Sequence, residues 1–165
     1  AQFAPDEDFE TYPRNTRGDL QKIQDAGGRI VFMPKKEDMY PDDFETYVSV
    51  LHMTKTLEGK ARPKHFRGVT TIVTKLFNIV QPTRAYFGQK DFQQLVIVRH
   101  LVAMLNLDIS IVSCPIIREK DGLAMSSRNV RLTPQQRGAA TILRQALLEA
   151  QERIAAGETS AAVLG

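Results

Sequence analysis

The segment that most constrains the fold alternates between two kinds of pattern. "RAYFG" (84–88) is a short apolar run that ends at a glycine, and "DISIVSCP" (108–115) is a second one that ends at a proline. Between them, apolar residues recur at helical spacing from residue 90 or 91 to residue 104. A strand, a helix and a strand joined by short links are typical of parallel sheets. This order predicts an α/β fold with a parallel sheet.

Four further elements are predicted upstream of that unit. They are a helix over 16–26 capped by Asn15 or Thr16, a buried strand over 29–33, an edge strand over 46–50 and a helix over 68–80. The residues expected to face the core are Val69, Ile72, Val73, Leu76 and Phe77 in the last of these helices, and Phe92, Leu95, Val96, Leu101, Val102 and Leu105 in the helix that follows residue 90.

The character of the sequence changes after Pro115. A polar stretch is followed by "TPQQRGAATILRQALLEAQERIAAGE", in which Thr133, Pro134 and Gln136 form a helix-starting capping box and Gly157 ends the helix. This pattern predicts one long helix. It also predicts two domains, with residues 1–115 in the first and residues 116–165 in the second.

Composition narrows the class of protein. The chain has 165 residues, a formal net charge of +3 and one cysteine, and none of its apolar runs is long enough to span a membrane. The charge by itself is too small to indicate nucleic-acid binding. A lone cysteine cannot form an internal disulfide, so a reducing, cytoplasmic location is expected. The two ends of the sequence indicate a fragment of a longer chain.

Three groups of residues are candidates for chemistry, and the first is Gly88, Gln89, Lys90 and Asp91. They follow a predicted strand and begin a predicted helix, which is where ligands bind in open α/β sheets. A helix N-terminus and a lysine both favour an anion such as phosphate. The alternative is a plain turn in which Asp91 caps the helix, and the two interpretations are equally supported at this point.

The second group is "AMSSRN" (124–129), where two hydroxyls adjoin Arg128 and suit a polyphosphate. The alternative, an exposed polar loop, is favoured when the motif is considered alone.

The third group is "EGKARPKHFRG" (58–68), which is dense in cations and contains His65. It can bind a carboxylate or phosphate, it can contact RNA, or it can be a solvated loop, and in isolation the last is favoured. The spacing of histidines and cysteine does not suggest zinc.

Together these segments resemble the pantothenate synthetase family, also called pantoate–β-alanine ligase. The matching pieces are "QF…YPR" (2–14), "LEGKARPKHFRGVTTIVTKLFNIVQP" (57–82), "FGQKDFQQL" (87–95) and "REKDGLAMSSRN" (118–129). The resemblance implies a Rossmann-like parallel sheet of the nucleotidyltransferase superfamily. Residues 1–115 would be the latter part of that domain, and residues 116–165 would begin a smaller α+β C-terminal domain.

The resemblance also implies a reaction and its participants. ATP and pantoate would form an enzyme-bound pantoyl adenylate with release of pyrophosphate, and β-alanine would then displace AMP to give pantothenate. Mg²⁺ would accompany the nucleotide, and the protein would be a cytoplasmic homodimer with no nucleic-acid or membrane partner. Two alternatives are an RNA-binding module that uses residues 60–67 and a related enzyme that adenylates another small acid.

Site residues follow from the resemblance position by position. The ATP-binding residues would be Gly88, Gln89, Lys90, Asp91, Ile117, Met125, Ser126, Ser127 and Arg128. Of these, Lys90, Ser126, Ser127 and Arg128 would be catalytic. The pantoate-binding residues would be Gln2, Arg62, His65 and Gln94, whereas Gln93 is expected to serve the helix itself.

The sequence departs from the family pattern in three ways. The family's upstream proline-threonine-methionine-glycine segment and its histidine-x-glycine-histidine pair are not within these residues, and neither is the asparagine-proline that should precede Gln2, where Ala1 stands. Gln89 replaces the glutamate of many members. The sequence therefore does not predict whether these 165 residues catalyse adenylation by themselves.

Overall fold

The computed structural model describes residues 11–164, with the side chains of the last two excepted. The chain divides into two compact units, Ala1–Pro115 and Ile116–Gly165. Within the described residues, no helix is both long enough and apolar enough to cross a membrane. The functional assignment of the two units as domains stays a prediction.

The first unit contains five α-helices and a two-stranded parallel sheet within the described residues. The helices are α1 (Thr16–Asp25), α2 (Lys36–Met39), α3 (Glu58–Ala61), α4 (His65–Val80) and α5 (Phe92–Met104). Strand β1 (Arg84–Gly88) pairs with β2 (Ser110–Cys114) in parallel, and α5 connects the two. The predicted strand–helix–strand unit is confirmed, and so is the side-chain cap that Asn15 provides for α1.

The core lies between α4, α5 and the sheet. Its buried members are Phe66, Val69, Val73, Phe77, Ile97, Val98, Leu101 and Val102. The sequence pattern found the α4 face, but in α5 it missed Ile97 and Val98 and wrongly placed Phe92 and Leu105 inward, where both are exposed. The reason is that α5 is apolar on almost every side ("LVIVRHLVAML"), so its periodicity does not define one buried face.

The predicted buried strand over residues 29–33 is wrong. These residues form no strand, and their apolar side chains are exposed, with Ile30 at 90%. A strand is stable only when its backbone groups pair with a neighbour. The described sheet consists of β1 and β2 and offers no pairing to this segment.

The predicted edge strand over residues 46–50 is also wrong, for a reason that the structure shows directly. The Val48 backbone N–H donates to Thr71 Oγ1 at 3.0 Å, and the Val48 carbonyl accepts from Thr70 Oγ1 at 2.6 Å. Both threonines belong to α4 and are buried. Helix side chains therefore satisfy the polar groups that a neighbouring strand would otherwise satisfy.

The second unit is helical after a short irregular segment. Thr133 and Gln136 form the predicted capping box, with Pro134 at the first helical position. The single long helix is wrong, however, because the chain forms α6 (Pro134–Ala139), α7 (Ile142–Ala155) and α8 (Ala161–Leu164). Gly138 lies in the last turn of α6 and Thr141 lies in the break before α7, and both are weak helix formers. Gly157, at φ +99°, follows the end of α7 as predicted.

Candidate active site

The Gly88–Asp91 loop lies at the carboxyl end of β1. Gly88 is paired with Cys114, the last residue of β2, so both strands end at the same edge of the sheet. Gly88 has an extended backbone (φ −73°, ψ 139°) that any residue can adopt. A Cβ added there would approach only the Lys90 nitrogen, at 4.0 Å. The turn itself therefore does not demand glycine, but the missing side chain leaves the backbone open to a ligand.

Lys90 and Asp91 lie in a single 3₁₀ turn, Gln89–Asp91, that leads into α5. Asp91 is at the N-cap position of α5, but its side chain makes no capping hydrogen bond. Its Oδ1 instead lies 3.5 Å from Lys90 Nζ, and both side chains are exposed. The alternative in which Asp91 serves as a side-chain cap is therefore wrong. The first N–H groups of α5 carry the partial positive charge that suits an anion.

The two glutamines at the start of α5 differ sharply in their contacts. Gln94 is half-buried, and its side chain makes no hydrogen bond within residues 11–164. Gln93 makes three: it donates to the carbonyls of Met53 and Thr56, at 3.0 and 2.9 Å, and accepts from the Glu58 N–H at 3.0 Å. The expectation that Gln93 serves its own helix is wrong, because its partners lie 35–40 residues away in sequence.

The basic segment 58–68 is organised around its single acid. Glu58 Oε1 lies 2.6 Å from Arg62 Nη1 and 3.8 Å from His65 Nε2. The His65 side chain is only 11% exposed, and its ring centroid lies 5.0 Å from that of Phe66. Glu58 thus brings together the two residues of this segment that the sequence assigned to pantoate.

The remaining cations of that segment face elsewhere. Lys60, Lys64 and Arg67 line a cavity of about 520 Å³ together with Lys55, and neither Arg62 nor His65 is among its lining residues. The Arg67 guanidinium also stacks over the Tyr47 ring at 4.4 Å. The segment is therefore divided between two surroundings and is not a single solvated loop.

In the second unit, the motif 124–129 is held by backbone and side-chain hydrogen bonds. The Met125 N–H donates to the Ile117 carbonyl at 2.9 Å. Ser126 Oγ accepts from the Arg128 N–H at 3.2 Å and so caps the 3₁₀ helix Ser127–Arg131. A hydroxyl that accepts in this way keeps its own proton to donate. The motif is therefore ordered, while Met125, Ser127 and Arg128 are exposed, as the interpretation of an exposed polar loop expects.

A network of hydrogen-bonded and charged side chains holds this motif in place, and sequence reasoning missed it. Asn129 Nδ2 donates to Glu119 Oε1 at 2.6 Å and to the Ala124 carbonyl at 3.1 Å. Arg137 Nη2 donates to Glu119 Oε2 at 2.8 Å, and Arg137 Nη1 lies 2.5 Å from Asp121 Oδ2. The Arg137 hydrogen bond, with a smaller contribution from the Leu123 N–H, lowers the pKa of Asp121. No local periodicity links residues 18 apart, so the sequence carried no signal for Glu119 and Arg137.

Two further points concern the predicted residue Gln2 and possible metal ligands. Gln2 lies outside the described residues. Within residues 11–164, no three His, Cys, Asp or Glu side chains are grouped as metal ligands would be.

Comparison with known proteins agrees with the observed architecture. A family model described as pantoate-beta-alanine ligase matches residues 1–164. A pantothenate synthetase of Acetivibrio thermocellus is 57% identical over 160 residues, which are 97% of this chain and 57% of that protein. One from Geobacter sulfurreducens is 56% identical over 163 residues, which are 99% of this chain and 58% of that protein.

Solved structures give the same result. A crystal structure of pantothenate synthetase from Thermus thermophilus matches with a TM-score of 0.95 and 47% identity, covering 99% of this chain and 59% of that one. A pantoate-beta-alanine ligase from Francisella tularensis, complexed with beta-gamma ATP and beta-alanine, matches with a TM-score of 0.76 and 37% identity. That match covers 81% of this chain and 51% of that one.

The parallel strand–helix–strand unit, with its glycine-lysine-aspartate loop at the carboxyl edge, defines an α/β protein with a nucleotidyltransferase-like fold. More particularly, the chain belongs to the pantoate–β-alanine ligase family. It spans a little under three-fifths of the length of the curated relatives reported above, at 57% and 58%. The comparisons lend no support to the RNA-binding alternative.

Proposed function

We propose that the polypeptide to which these residues belong condenses pantoate with β-alanine, at the expense of ATP, to give pantothenate. A carboxylate oxygen of pantoate attacks the α-phosphorus of ATP, and pyrophosphate leaves. The β-alanine nitrogen then attacks the carbonyl carbon of the pantoyl adenylate, AMP leaves and the amine loses a proton. Family membership supports the proposal, as does the relative whose structure contains an ATP analogue and β-alanine.

The observation that carries the proposal is the open edge formed by Gly88–Asp91. The first step brings two anions together, so cationic and N–H donors must offset the charge. In our proposal Lys90 supplies that charge to the phosphates, while Gly88 and Asp91 bind the ribose and Gln89 contributes to the nucleotide site. The exposed Lys90 and Asp91 side chains and the open Gly88 backbone are compatible with these roles.

Pantoate binding is assigned to groups on α5 and near α3. Pantoate has two hydroxyls and a carboxylate, and an amide can both donate to and accept from such groups. The Gln94 side chain has no competing partner within the described residues. Arg62 and His65, which Glu58 holds together, supply a cation and a ring nitrogen. Gln2 is proposed for the same substrate.

The second unit contains hydroxyl and guanidinium groups that suit a polyphosphate. Ser126, Ser127 and Arg128 are proposed to act on the phosphates in catalysis. Ile117 and Met125, joined by a backbone hydrogen bond, are proposed to contact the base.

Mg²⁺ is proposed to accompany the nucleotide. This cation commonly keeps several waters and uses substrate phosphate oxygens with few protein ligands. Serine hydroxyls beside a phosphate site fit such a requirement, and the ion would neutralise phosphate charge when bound. A cytoplasmic homodimer remains our proposal for the state of the whole protein.

The test is isotope exchange between pyrophosphate and ATP, measured on the full polypeptide that the gene encodes. Exchange should require pantoate, because adenylate formation is reversible and needs the acid. Exchange without pantoate would overturn the substrate assignment. Stronger stimulation by another small hydroxy acid would favour the related adenylating enzyme.

A further inference from the structure

We propose that Gln93 is a positioning residue for pantoate, acting through the segment that precedes and begins α3. The inference rests on the proposed function and extends it to a residue that does not itself touch substrate. Gln93 adjoins Gln94 at the start of α5, so the two neighbouring amides have separate tasks: Gln94 is proposed to bind pantoate, and Gln93 holds the segment that leads to Arg62 and His65.

Both the nitrogen and the oxygen of the Gln93 side-chain amide form hydrogen bonds. Its Nε2 donates to the Met53 carbonyl at 3.0 Å and to the Thr56 carbonyl at 2.9 Å, and its Oε1 accepts from the Glu58 N–H at 3.0 Å. Two donors and one acceptor with different partners also determine which way the amide is turned. A single side chain thereby fixes three backbone groups of residues 53–58.

That segment needs support from outside. Leu57 has φ +49°, a backbone conformation that is unfavourable for a residue with a side chain. Gly59 is buried against the Thr54 carbonyl, so its backbone has no room to move closer. Strained backbone persists where surrounding contacts hold it, and Gln93 supplies three such contacts.

The segment leads directly to the pantoate residues. The N–H that Gln93 accepts from belongs to Glu58, and the carboxylate of Glu58 contacts Arg62 at 2.6 Å and His65 at 3.8 Å. Loss of the Gln93 amide releases the Glu58 backbone and lets its carboxylate shift. Displacements of about 1 Å in positioning groups can cost roughly a hundredfold in rate. We therefore expect the damage to fall on pantoate.

The experiment compares Gln93→Met with the unmodified full polypeptide. Methionine keeps the length of the side chain and removes every hydrogen bond. The pantoate KM should rise about tenfold or more, while the ATP KM stays within about twofold, since the Gly88–Asp91 loop is unchanged. The matched control is Gln21→Met, which removes only an exposed hydrogen bond to Asp25 within α1 and should change neither constant.

A second measurement follows the segment itself. Hydrogen exchange of the amides in residues 53–61 should accelerate in Gln93→Met and not in Gln21→Met. A double-mutant cycle with Glu58→Gln then asks whether the two residues act along one route. The combined rise in pantoate KM should be smaller than the product of the separate rises.

The outcomes distinguish this proposal from the one it rests on. If the unmodified protein shows no pantoate-dependent exchange, the proposed function fails and the positioning role fails with it. If the unmodified protein is active and Gln93→Met exchanges faster over 53–61 with an unchanged pantoate KM, Gln93 is merely structural. That result overturns the positioning role alone, as would multiplicative effects in the double-mutant cycle.

Discussion

Replacing Thr71 by valine should free the segment that contains Val48. Thr71 is 2% exposed, and its hydroxyl both accepts from the Val48 N–H at 3.0 Å and donates to the Arg67 carbonyl at 2.7 Å. Valine has nearly the same shape but cannot accept a hydrogen bond. The Val48 N–H, in a half-buried position, is then left without its acceptor.

The expected magnitude follows from that one lost acceptor. An unsatisfied donor away from water costs about 1–3 kcal/mol. Thr70→Val should cost less, roughly 0.5–1.5 kcal/mol, because it removes a hydroxyl donor shared between the Val48 and Phe66 carbonyls and leaves no N–H unpaired. The local opening of the segment should therefore become roughly 5- to 150-fold more frequent in Thr71→Val.

Native-state hydrogen exchange of the Val48 amide measures this opening directly. Thr74→Val is the matched control, since Thr74 donates only to the Thr70 carbonyl inside α4 and should leave Val48 protected. Thr71→Ser keeps the hydroxyl and should also protect Val48, although losing a methyl group costs about 0.8 kcal/mol. Equal protection of Val48 in Thr71→Val and Thr74→Val would refute the reasoning.

Three further predictions concern other parts of the molecule. Lys90→Ala should lower the rate of adenylate formation roughly a hundredfold, measured by pyrophosphate exchange, with little change in Tm because the side chain is 42% exposed. If the variant is instead destabilised and its folded fraction keeps full activity, Lys90 has a structural role. Gly59→Ala should lower the free energy of unfolding by about 1–3 kcal/mol in urea titration, since the new methyl meets the Thr54 carbonyl, and an unchanged midpoint would contradict that packing. Asp121→Asn should reduce Tm at neutral pH but not in strong acid. The pKa of Asp121 is lower in the folded protein than the value of about 3.9 in the unfolded chain, so its charge stabilises the fold at pH values above about 3.9, and this stabilisation is lost as the pH falls through the folded-state pKa. A Tm difference that persists in strong acid would assign the effect to something other than the Asp121 charge.

The sequence predicted those elements whose pattern is carried within them. β1 and β2 are short apolar runs with clear ends, and the Thr133–Gln136 capping box is a local motif. Helix α4 was placed correctly, although it begins three residues earlier than the predicted start at residue 68. In each case the residues that define the element lie within the element or directly beside it in the sequence.

The errors arise where a distant partner decides the structure. Residues 46–50 alternate like an edge strand, yet Thr70 and Thr71, more than twenty positions away, take the Val48 hydrogen bonds. Residues 29–33 read as a buried strand, but in the described sheet they have no strand to pair with. The β-strand propensity is a property of the segment itself, whereas strand pairing depends on which other segment lies next to it in the fold.

The candidate site shows the same division. Gly88, Lys90, Asp91 and Gln94 stand together because they are neighbours in sequence, so a motif could find them. Gln93 belongs to the same motif, but its bonds to Met53, Thr56 and Glu58 are invisible to spacing. Motifs therefore indicate groups proposed to meet substrate, and the structure adds the groups that hold them in place.

The parallel pairing of the two strands also bears on how the chain reaches its fold. Arg84 pairs with Ser110 and Gly88 with Cys114, so ladder partners are 26 residues apart throughout. Closing a loop of that length costs chain entropy before any ladder hydrogen bond forms. Helix α5 occupies half of that loop and contacts α4 and both strands. Packing of this helix against α4 and the two strands therefore offsets part of the entropy cost of closing the loop.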